Sequence, residues 1–143
     1  MIYGSPRDRN IWRLIRFIKK YPLIPVIGDG TNLQQPIFVE DVAKSIVMVL
    51  ENDLTIEKCY NIAGQHALSY NEIIDTIAIQ LQRRSRKIHI STGIAVWSLS
   101  LLEKLHVPFF IKSEQILRLN EDKKFNYEEA QNDFQFHPLT FSE

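Results

Sequence analysis

The sequence predicts an α/β protein made of short strands and about five or six helices. Three observations predict this class. Short apolar runs alternate with segments of helical periodicity, 45% of the 143 residues are apolar, and no internal repeat interrupts them. An apolar share of this size supplies one core, so we expect a single domain over residues 1–143.

The first elements are a helix and a strand. Ser5-Pro6 predicts the helix start, because serine caps helices and proline suits the first turn. Tyr21-Pro22 ends the helix, residues 23–27 form an extended run, and turn-forming residues follow over 28–32. The apolar positions at helical spacing are Ile11, Leu14, Ile15 and Ile18.

A second helix lies between two further strands. A short strand over 36–39 leads into a helix over about 40–52, and residues 58–63 predict a buried strand that ends at Gly64. Cys59 lies in that strand, so we expect a small buried residue rather than a reactive thiolate. The helix face that we expect to be apolar holds Val42, Ile46, Val49 and Leu50.

The rest of the chain is predicted to be mostly helical. Ser69 and Glu72 predict a capping box for a helix that runs to about Gln82. Trp12 and Trp97 lie on apolar helix faces, which favours packing in the core or against a partner. The later elements are a strand over 87–91, helices over 93–105 and 113–120, and a last helix capped by Asn126.

Charge and cysteine content limit the class of partner. Seventeen basic and seventeen acidic side chains balance, so we expect no duplex nucleic-acid binding, which needs a basic excess. One cysteine cannot form an internal disulfide, and the first residues lack the apolar stretch of a signal peptide. The most apolar segment, 94–102, is too short to span a bilayer. We therefore expect a cytoplasmic protein with no membrane span.

The chain lacks the motifs of a complete active site. Gly28-x-Gly30 is followed by Leu33 where a dinucleotide fingerprint needs a third glycine. None of the five tyrosines is followed four positions later by lysine, and no histidine has a second ligand at metal spacing. We therefore predict no catalytic residue and no metal site in this chain.

Four segments, taken in order, resemble one family. The segments are Ile2-Tyr3-Gly4, the run from Gly28-Asp29-Gly30 through Gln34-Gln35-Pro36 to Asp41-Val42-Ala43, Tyr60-Asn61-Ile62-Ala63-Gly64 with Leu68-Ser69-Tyr70, and Tyr127-Glu128-Glu129-Ala130 with Asp133-Phe134 and Pro138. They are similar to the C-terminal part of the extended short-chain dehydrogenases/reductases, the NAD-dependent sugar-nucleotide epimerases and dehydratases.

The resemblance implies a role for this part of the chain. A Rossmann-type N-terminal half, absent here, would bind NAD or NADP and carry the catalytic tyrosine and lysine, and the 143 residues would form the substrate-binding portion with no cofactor of their own. Pro25 and Ile27 would contact the base of a nucleotide-sugar-like substrate through backbone groups. The family commonly has a phosphate-binding arginine two residues before Pro36, where this chain has Gln34. The other candidate substrate-binding residues are Gln35, Arg7 and Arg118.

Two functions within the resembling family remain open, beside a third possibility, an unrelated α/β binding module. The chain is either the substrate-binding portion of an NAD(P)-dependent epimerase, dehydratase or reductase, or a non-catalytic binding or assembly subunit of the same fold. Gln34 in place of arginine favours the second, as do the apolar residues Trp97, Phe109 and Phe110. Strands whose partners lie in the absent half would leave an exposed edge, so we also expect the chain to self-associate.

Overall fold

The computed structural model of the chain describes residues 1–5, 7–8, 10–97 and 121–142. These residues confirm the α/β class. The predicted helix over 113–120, with Arg118, and the pair Phe109 and Phe110 lie outside the described residues. The elements are β1 (Ile2–Tyr3), α1 (Ile11–Lys20), β2 (Leu23–Ile27), β3 (Leu33–Gln34), β4 (Ile37–Phe38), α2 (Val39–Leu50), a 3-10 helix (Asp53–Thr55), β5 (Leu68–Ser69), α3 (Tyr70–Gln80), β6 (Arg86–Ile90) and α4 (Glu128–Phe134), and residues 92–97 are also helical.

The chain forms two compact units. Unit 1 comprises Met1–Arg16, Gln34–Leu68 and Lys123–Glu143, and unit 2 comprises Phe17–Leu33 and Ser69–Asp122. The sequence predicts one domain over residues 1–143. The division into two units does not test this assignment, which remains a prediction.

The core of unit 1 is built around α4. Strand β1 pairs in parallel with β4, so that Ile2 lies opposite Ile37. The buried core residues are Ile37, Ala130, Phe134 and Phe136. The Tyr60 ring meets the Phe134 ring edge to face with centroids 5.1 Å apart, an arrangement that aromatic pairs prefer.

Helix α2 buries only part of the face that its periodicity predicts. Val42 and Val49 are partly buried and pack against the core of unit 1. Ile46 and Leu50 are instead 56% and 80% exposed, and Asp41 and Ser45 are buried. The Asp41 carboxylate accepts a hydrogen bond of 2.9 Å from the backbone N–H of Leu139, which satisfies this buried polar group. Apolar periodicity therefore identifies the helix and part of its buried face, but not the burial of Asp41.

Residues 58–63 do not form the predicted strand. They adopt no regular structure, and Cys59 is exposed rather than buried. A strand needs a neighbour for its backbone hydrogen bonds, and among the described residues none pairs with this segment. The end of the segment is nevertheless packed closely, since a Cβ at Gly64 would collide with the backbone carbonyl of Pro36.

Unit 2 contains the longest strand pair. Strands β2 and β6 run parallel in register, from Leu23 opposite Arg86 to Ile27 opposite Ile90. The predicted capping box at the start of α3 is confirmed: Ser69 accepts from the Glu72 N–H, and the Glu72 carboxylate accepts from the Ser69 N–H at 2.7 Å. Helix α3 buries Ile73, Ile74 and Ile77, as its periodicity predicts.

Two helix starts differ from the predictions. Helix α1 begins at Ile11 rather than at Ser5-Pro6, because the Asp8 carboxylate accepts from the Asn10 and Trp12 N–H groups at 2.7 and 2.9 Å. The N-cap residue of α4 is Tyr127 rather than the predicted Asn126, and Tyr127 makes no side-chain capping bond. The Asn126 side-chain oxygen accepts from the Glu128 N–H at 2.9 Å.

Both tryptophans are exposed. The exposed fraction is 36% for Trp12 and 68% for Trp97, so neither is a core residue. In the described part of the chain, no helix has the length and apolar character that crossing a bilayer requires.

Candidate functional site

Unit 2 holds a cleft where β2 and β6 end. Parallel neighbouring strands bring their carboxyl ends to the same edge of a sheet, where ligands of α/β proteins commonly bind. The cleft has a volume of about 590 Å³. Its lining residues are Gly28, Asp29, Thr31 and Asn32 from the turn after β2, Ser91 and Thr92 from the end of β6, and Asp122.

The turn after β2 is held by its own hydrogen bonds. The Asp29 carboxylate accepts from the Thr31 N–H at 3.0 Å and from the Thr31 hydroxyl at 2.7 Å. These two bonds, the backbone one first, lower the pKa of Asp29. Gly30 has a φ of +70°, and a Cβ there would meet the Asn71 side chain, whose amide donates to the Asp29 carbonyl at 2.8 Å. The tight turn therefore requires glycine at position 30.

The lining of the cleft is acidic. Asp29 and Asp122 both contribute carboxylates, and none of the described lining residues is lysine or arginine. The Asp122 carboxylate also accepts from the Leu33 N–H at 2.7 Å. Two carboxylates repel a phosphate group, while the hydroxyls of Ser91 and Thr92 suit a neutral polar ligand.

The turn does not fit the pyrophosphate of NAD or NADP. Dinucleotide sites present free backbone N–H groups at a helix N-terminus directly after the glycine turn. Here the Gly28 N–H donates to the Ile90 carbonyl at 2.8 Å, the Thr31 N–H is bound to Asp29, and the chain continues into β3 instead of a helix. In the described part of the chain, no group of three His, Cys, Asp or Glu side chains is placed to hold a metal ion.

Pro25 and Ile27 direct their backbone groups away from β6. The ladder between β2 and β6 begins at the Pro22 carbonyl and ends at the Gly28 N–H. Because residues alternate along a parallel ladder, Ile24 and Val26 bond to β6, and the other residues of β2 point to the opposite edge. In the described residues no strand pairs with that edge. The contact of the Pro25 and Ile27 backbone groups with a base remains a prediction. The geometry permits this contact, because these groups do not bond to β6.

The two candidate glutamines are buried in unit 1. Gln34 and Gln35 are 6% and 5% exposed. The Gln35 amide donates to the Gly64 carbonyl at 2.7 Å and accepts from the Phe125 N–H at 2.7 Å. Both ends of the Gln35 side chain are therefore used to join backbone segments.

The candidate arginines differ from the glutamines in setting. Arg7 is exposed in unit 1, on a turn where its N–H donates to the Ser5 hydroxyl at 3.2 Å. Arg118 lies outside the described residues. Of the predicted site residues, Pro25 and Ile27 belong to unit 2, and the two glutamines and Arg7 belong to unit 1.

None of the residues that line the cleft is among the predicted site residues, although residues 28–32 are predicted as a turn. Ser91 and Thr92 follow the strand predicted over 87–91, and pairing that strand with β2 would have identified them, because the ends of parallel strands meet. Asp122 has no comparable local signal. It reaches the cleft region through its contact with Leu33, which is 89 residues away in sequence.

A second polar cluster centres on Asp133 of α4. Its carboxylate accepts from Lys58 Nζ at 2.7 Å and from the Tyr60 hydroxyl at 2.6 Å, and its backbone carbonyl accepts from the Asn52 amide at 2.7 Å. The bonds from Lys58 and Tyr60 lower the pKa of Asp133, and partial burial, followed by the bond to Asp133, raises the pKa of Tyr60. The cluster fixes α4 to residues 52–60.

Comparison with known proteins supports the predicted resemblance. No protein-family model matches the chain. The mitochondrial protein NADH dehydrogenase [ubiquinone] 1 alpha subcomplex subunit 9 of Arabidopsis thaliana is 31% identical over 124 residues, which are 85% of this chain and 30% of that protein.

Solved structures with the same fold include a dehydratase and an epimerase of nucleotide sugars. The dTDP-glucose 4,6-dehydratase of Bacillus anthracis, in complex with NAD, has a TM-score of 0.67 at 19% identity and is matched over 99% of this chain and 38% of the enzyme. The UDP-glucuronic acid 4-epimerase of Bacillus cereus, also with NAD, has a TM-score of 0.66 at 18% identity over 96% of this chain and 37% of the enzyme.

These findings confirm the resemblance at the level of the fold. The chain has the fold found in NAD-dependent epimerases and dehydratases of the extended short-chain dehydrogenase type. It spans 30% of the length of the Arabidopsis relative and 36% to 39% of the enzyme structures.

Proposed function

We propose that this chain is the C-terminal part of an assembly subunit with the extended short-chain dehydrogenase fold, which works within a mitochondrial NADH dehydrogenase complex. One observation carries the proposal. Position 34, where the resemblance implies a phosphate-binding arginine, is a buried and neutral glutamine. A charge-assisted hydrogen bond contributes about 1.5–3 kcal/mol, so a nucleotide diphosphate loses roughly ten- to a hundredfold in affinity without it.

Two further observations support the assembly function. The cleft of unit 2 is lined by Asp29 and Asp122 and disfavours an anionic ligand. The sequence identity to the NADH dehydrogenase subunit is 31%, compared with 19% and 18% to the dehydratase and epimerase structures. The subcellular location that goes with this proposal is mitochondrial, in place of the cytoplasmic location expected from the sequence.

The proposal includes a cofactor-binding half in the parent protein. Any NAD or NADP would bind there, because the described residues do not fit it. Two features support a missing half: β1 and β4 are only two residues long, and α2 with the 3-10 helix leaves apolar side chains in solvent. These exposed side chains, which we term the α2 apolar surface, are Ile46, Val47, Leu50, Leu54 and Ile56. Without its other half, the chain would cover this surface by self-association.

Nucleotide-sugar binding is the second candidate. The outward backbone groups of Pro25 and Ile27 favour it, since fixed donors and acceptors suit the edge of a base. The parent protein would then bind a nucleotide-sugar-like substrate despite its glutamine at position 34.

Calorimetric titration of the full-length parent protein separates the two candidates. We expect no heat of binding with UDP-glucose or dTDP-glucose at micromolar concentrations. The variant Gln34→Arg restores the charge at the family position, and Gln65→Arg adds the same charge at an exposed position of unit 1 as the matched control. Micromolar binding by the unchanged protein would favour the enzyme over the assembly subunit.

Native gel electrophoresis of mitochondrial membranes tests the assembly function directly. An epitope-tagged parent protein is expected to migrate in the same band as NADH dehydrogenase activity. Migration of all the tagged protein as a free species, while the active band persists without it, contradicts the proposal.

A further inference from the structure

Positive charge is concentrated at one end of the sequence. Residues 7–20 contain six basic side chains and one acidic side chain, whereas the remaining residues contain eleven basic and sixteen acidic ones. The chain has zero net charge, but residues 7–20 form a basic segment, most of which is helix α1.

Helix α1 presents the basic side chains on one face. Ile11 and Ile18 are 4% and 3% exposed and form the inner face. Residues three, four and seven positions apart lie on the same face of a helix. The exposed residues that meet this spacing are Trp12, Arg13, Arg16, Lys19 and Lys20.

Helix stability does not account for the two arginines. Lys19 and Lys20 lie in the last turn, where the helix dipole favours a positive charge, but Arg13 lies in the first turn, where it does not. Arg16 is three residues from Arg13 and four from Lys20, and like charges at these spacings repel. Among the described residues, no ion pair involves Arg13 or Arg16. Within the described part of the chain, both arginines are exposed and neither charge is paired.

Aromatic side chains accompany the cations. Trp12 is 36% exposed and Tyr21, directly after the helix, is 43% exposed. The Lys20 ammonium lies 5.2 Å from the centroid of the Tyr21 ring. Tryptophan and tyrosine are enriched where a protein meets the polar headgroups of a membrane, and clustered lysines and arginines bind anionic lipids there.

We propose that the outer face of α1 rests on the surface of a bilayer that contains anionic phospholipids. Phosphate headgroups pair with Arg13, Arg16 and the two lysines, while Trp12 and Tyr21 enter the headgroup layer. The helix does not insert, because its apolar face is buried in the protein. Duplex nucleic acid offers the same phosphates but no layer that accepts exposed aromatic rings. The inference stands on α1 alone and does not depend on the proposed function.

Tryptophan fluorescence of the full chain tests this contact. The variant Trp97→Phe leaves Trp12 as the single reporter. Vesicles of phosphatidylcholine with phosphatidylglycerol are expected to shift Trp12 emission to shorter wavelength, and vesicles of phosphatidylcholine alone are not. Raised salt is expected to abolish the shift, because it screens the charges.

Paired charge removal supplies the control. In the Trp97→Phe background, Arg13→Gln with Arg16→Gln is expected to weaken vesicle binding about twenty-fivefold, at roughly fivefold for each cation. Arg83→Gln with Arg84→Gln removes the same charge from exposed positions after α3 and is expected to leave binding unchanged. Three outcomes overturn the proposal: equal binding to both vesicles, equal loss in the two double variants, or tighter binding to duplex DNA than to the anionic vesicles.

Discussion

Gln35 joins two backbone segments of unit 1 through a single side chain. Its amide satisfies the Gly64 carbonyl and the Phe125 N–H, which lie 29 and 90 residues away in sequence. The sequence places Gln35 beside the family's phosphate-binding position and so predicts a ligand contact. Its bonding partners are distant, and no local pattern could have identified them. Buried polar groups are costly without partners, so this amide is a structural requirement of unit 1.

The substitution Gln35→Leu tests this structural requirement. Leucine is similar in size to glutamine, but it leaves the Gly64 carbonyl and the Phe125 N–H without their partner. We therefore expect the free energy of unfolding to fall by about 2–3 kcal/mol. Urea unfolding followed by circular dichroism measures the change. Gln65→Leu, at an exposed position, is the control and should stay within about 0.5 kcal/mol. Equal stability of both variants would refute the bridging role.

Asp133 makes stability depend on acid pH. Its pKa is lowered in the folded state by Lys58 and Tyr60, so its contribution is fully present above the unfolded pKa of about 3.9 and is lost as pH falls through the folded value. We expect Asp133→Asn to be less stable than the unchanged chain at pH 7, with the difference shrinking as pH falls below about 4. Urea midpoints measured across this range check the prediction. A difference that stays constant with pH contradicts it.

The start of α3 matches its local signal, whereas the starts of α1 and α4 differ from theirs, and the buried face of α2 is predicted only in part. The start of α3 is specified by Ser69 and Glu72, three residues apart, and the structure has this capping box. Asp41 of α2 is buried and accepts from the N–H of Leu139, which is 98 residues away. The sequence therefore predicts α2 and the inward side of Val42 and Val49, but not the burial of Asp41.

Ser69→Ala measures the capping contribution to α3. Removing the side-chain acceptor for the Glu72 N–H is expected to lower the free energy of unfolding by about 1 kcal/mol. It should also raise the pKa of Glu72, because the Ser69 hydroxyl is the largest cause of its lowered value. Chemical denaturation and carboxyl titration by NMR give the two quantities. Ser85→Ala, outside the helix, is the control, and a loss of equal size there would contradict the capping role.

At the scale of the whole molecule, the chain matches 36% to 39% of the length of solved structures with its fold, and its described residues include the exposed α2 apolar surface. The fold class follows from composition and alternation, and both are visible in the sequence. The cleft of unit 2 is less predictable, because its walls come from residues 28–32, 91–92 and Asp122. Residues 58–63 illustrate the same limit of sequence-based prediction. Their pattern is typical of a strand, but it does not indicate whether a neighbouring strand is present to pair with them.

The isolated chain is expected to self-associate through the α2 apolar surface. Pro25, which lacks an N–H, lies on the outer edge of β2 and makes pairing through that edge less favourable. Ile46→Lys with Leu50→Lys should reduce light scattering at high concentration and leave the free energy of unfolding within about 0.5 kcal/mol, because both positions are exposed. Ile79→Lys, exposed in unit 2, is the control. A monomeric wild-type chain at high concentration contradicts the expectation.

Disruption of the gene in the source organism tests the assembly function most directly. The account predicts that assembled NADH dehydrogenase, measured as the active band on native gels, is depleted and that re-expression of the full-length protein restores it. No nucleotide sugar should accumulate in the disrupted strain. Normal amounts of the assembled complex, together with accumulation of a nucleotide sugar, would contradict the account and identify an enzyme.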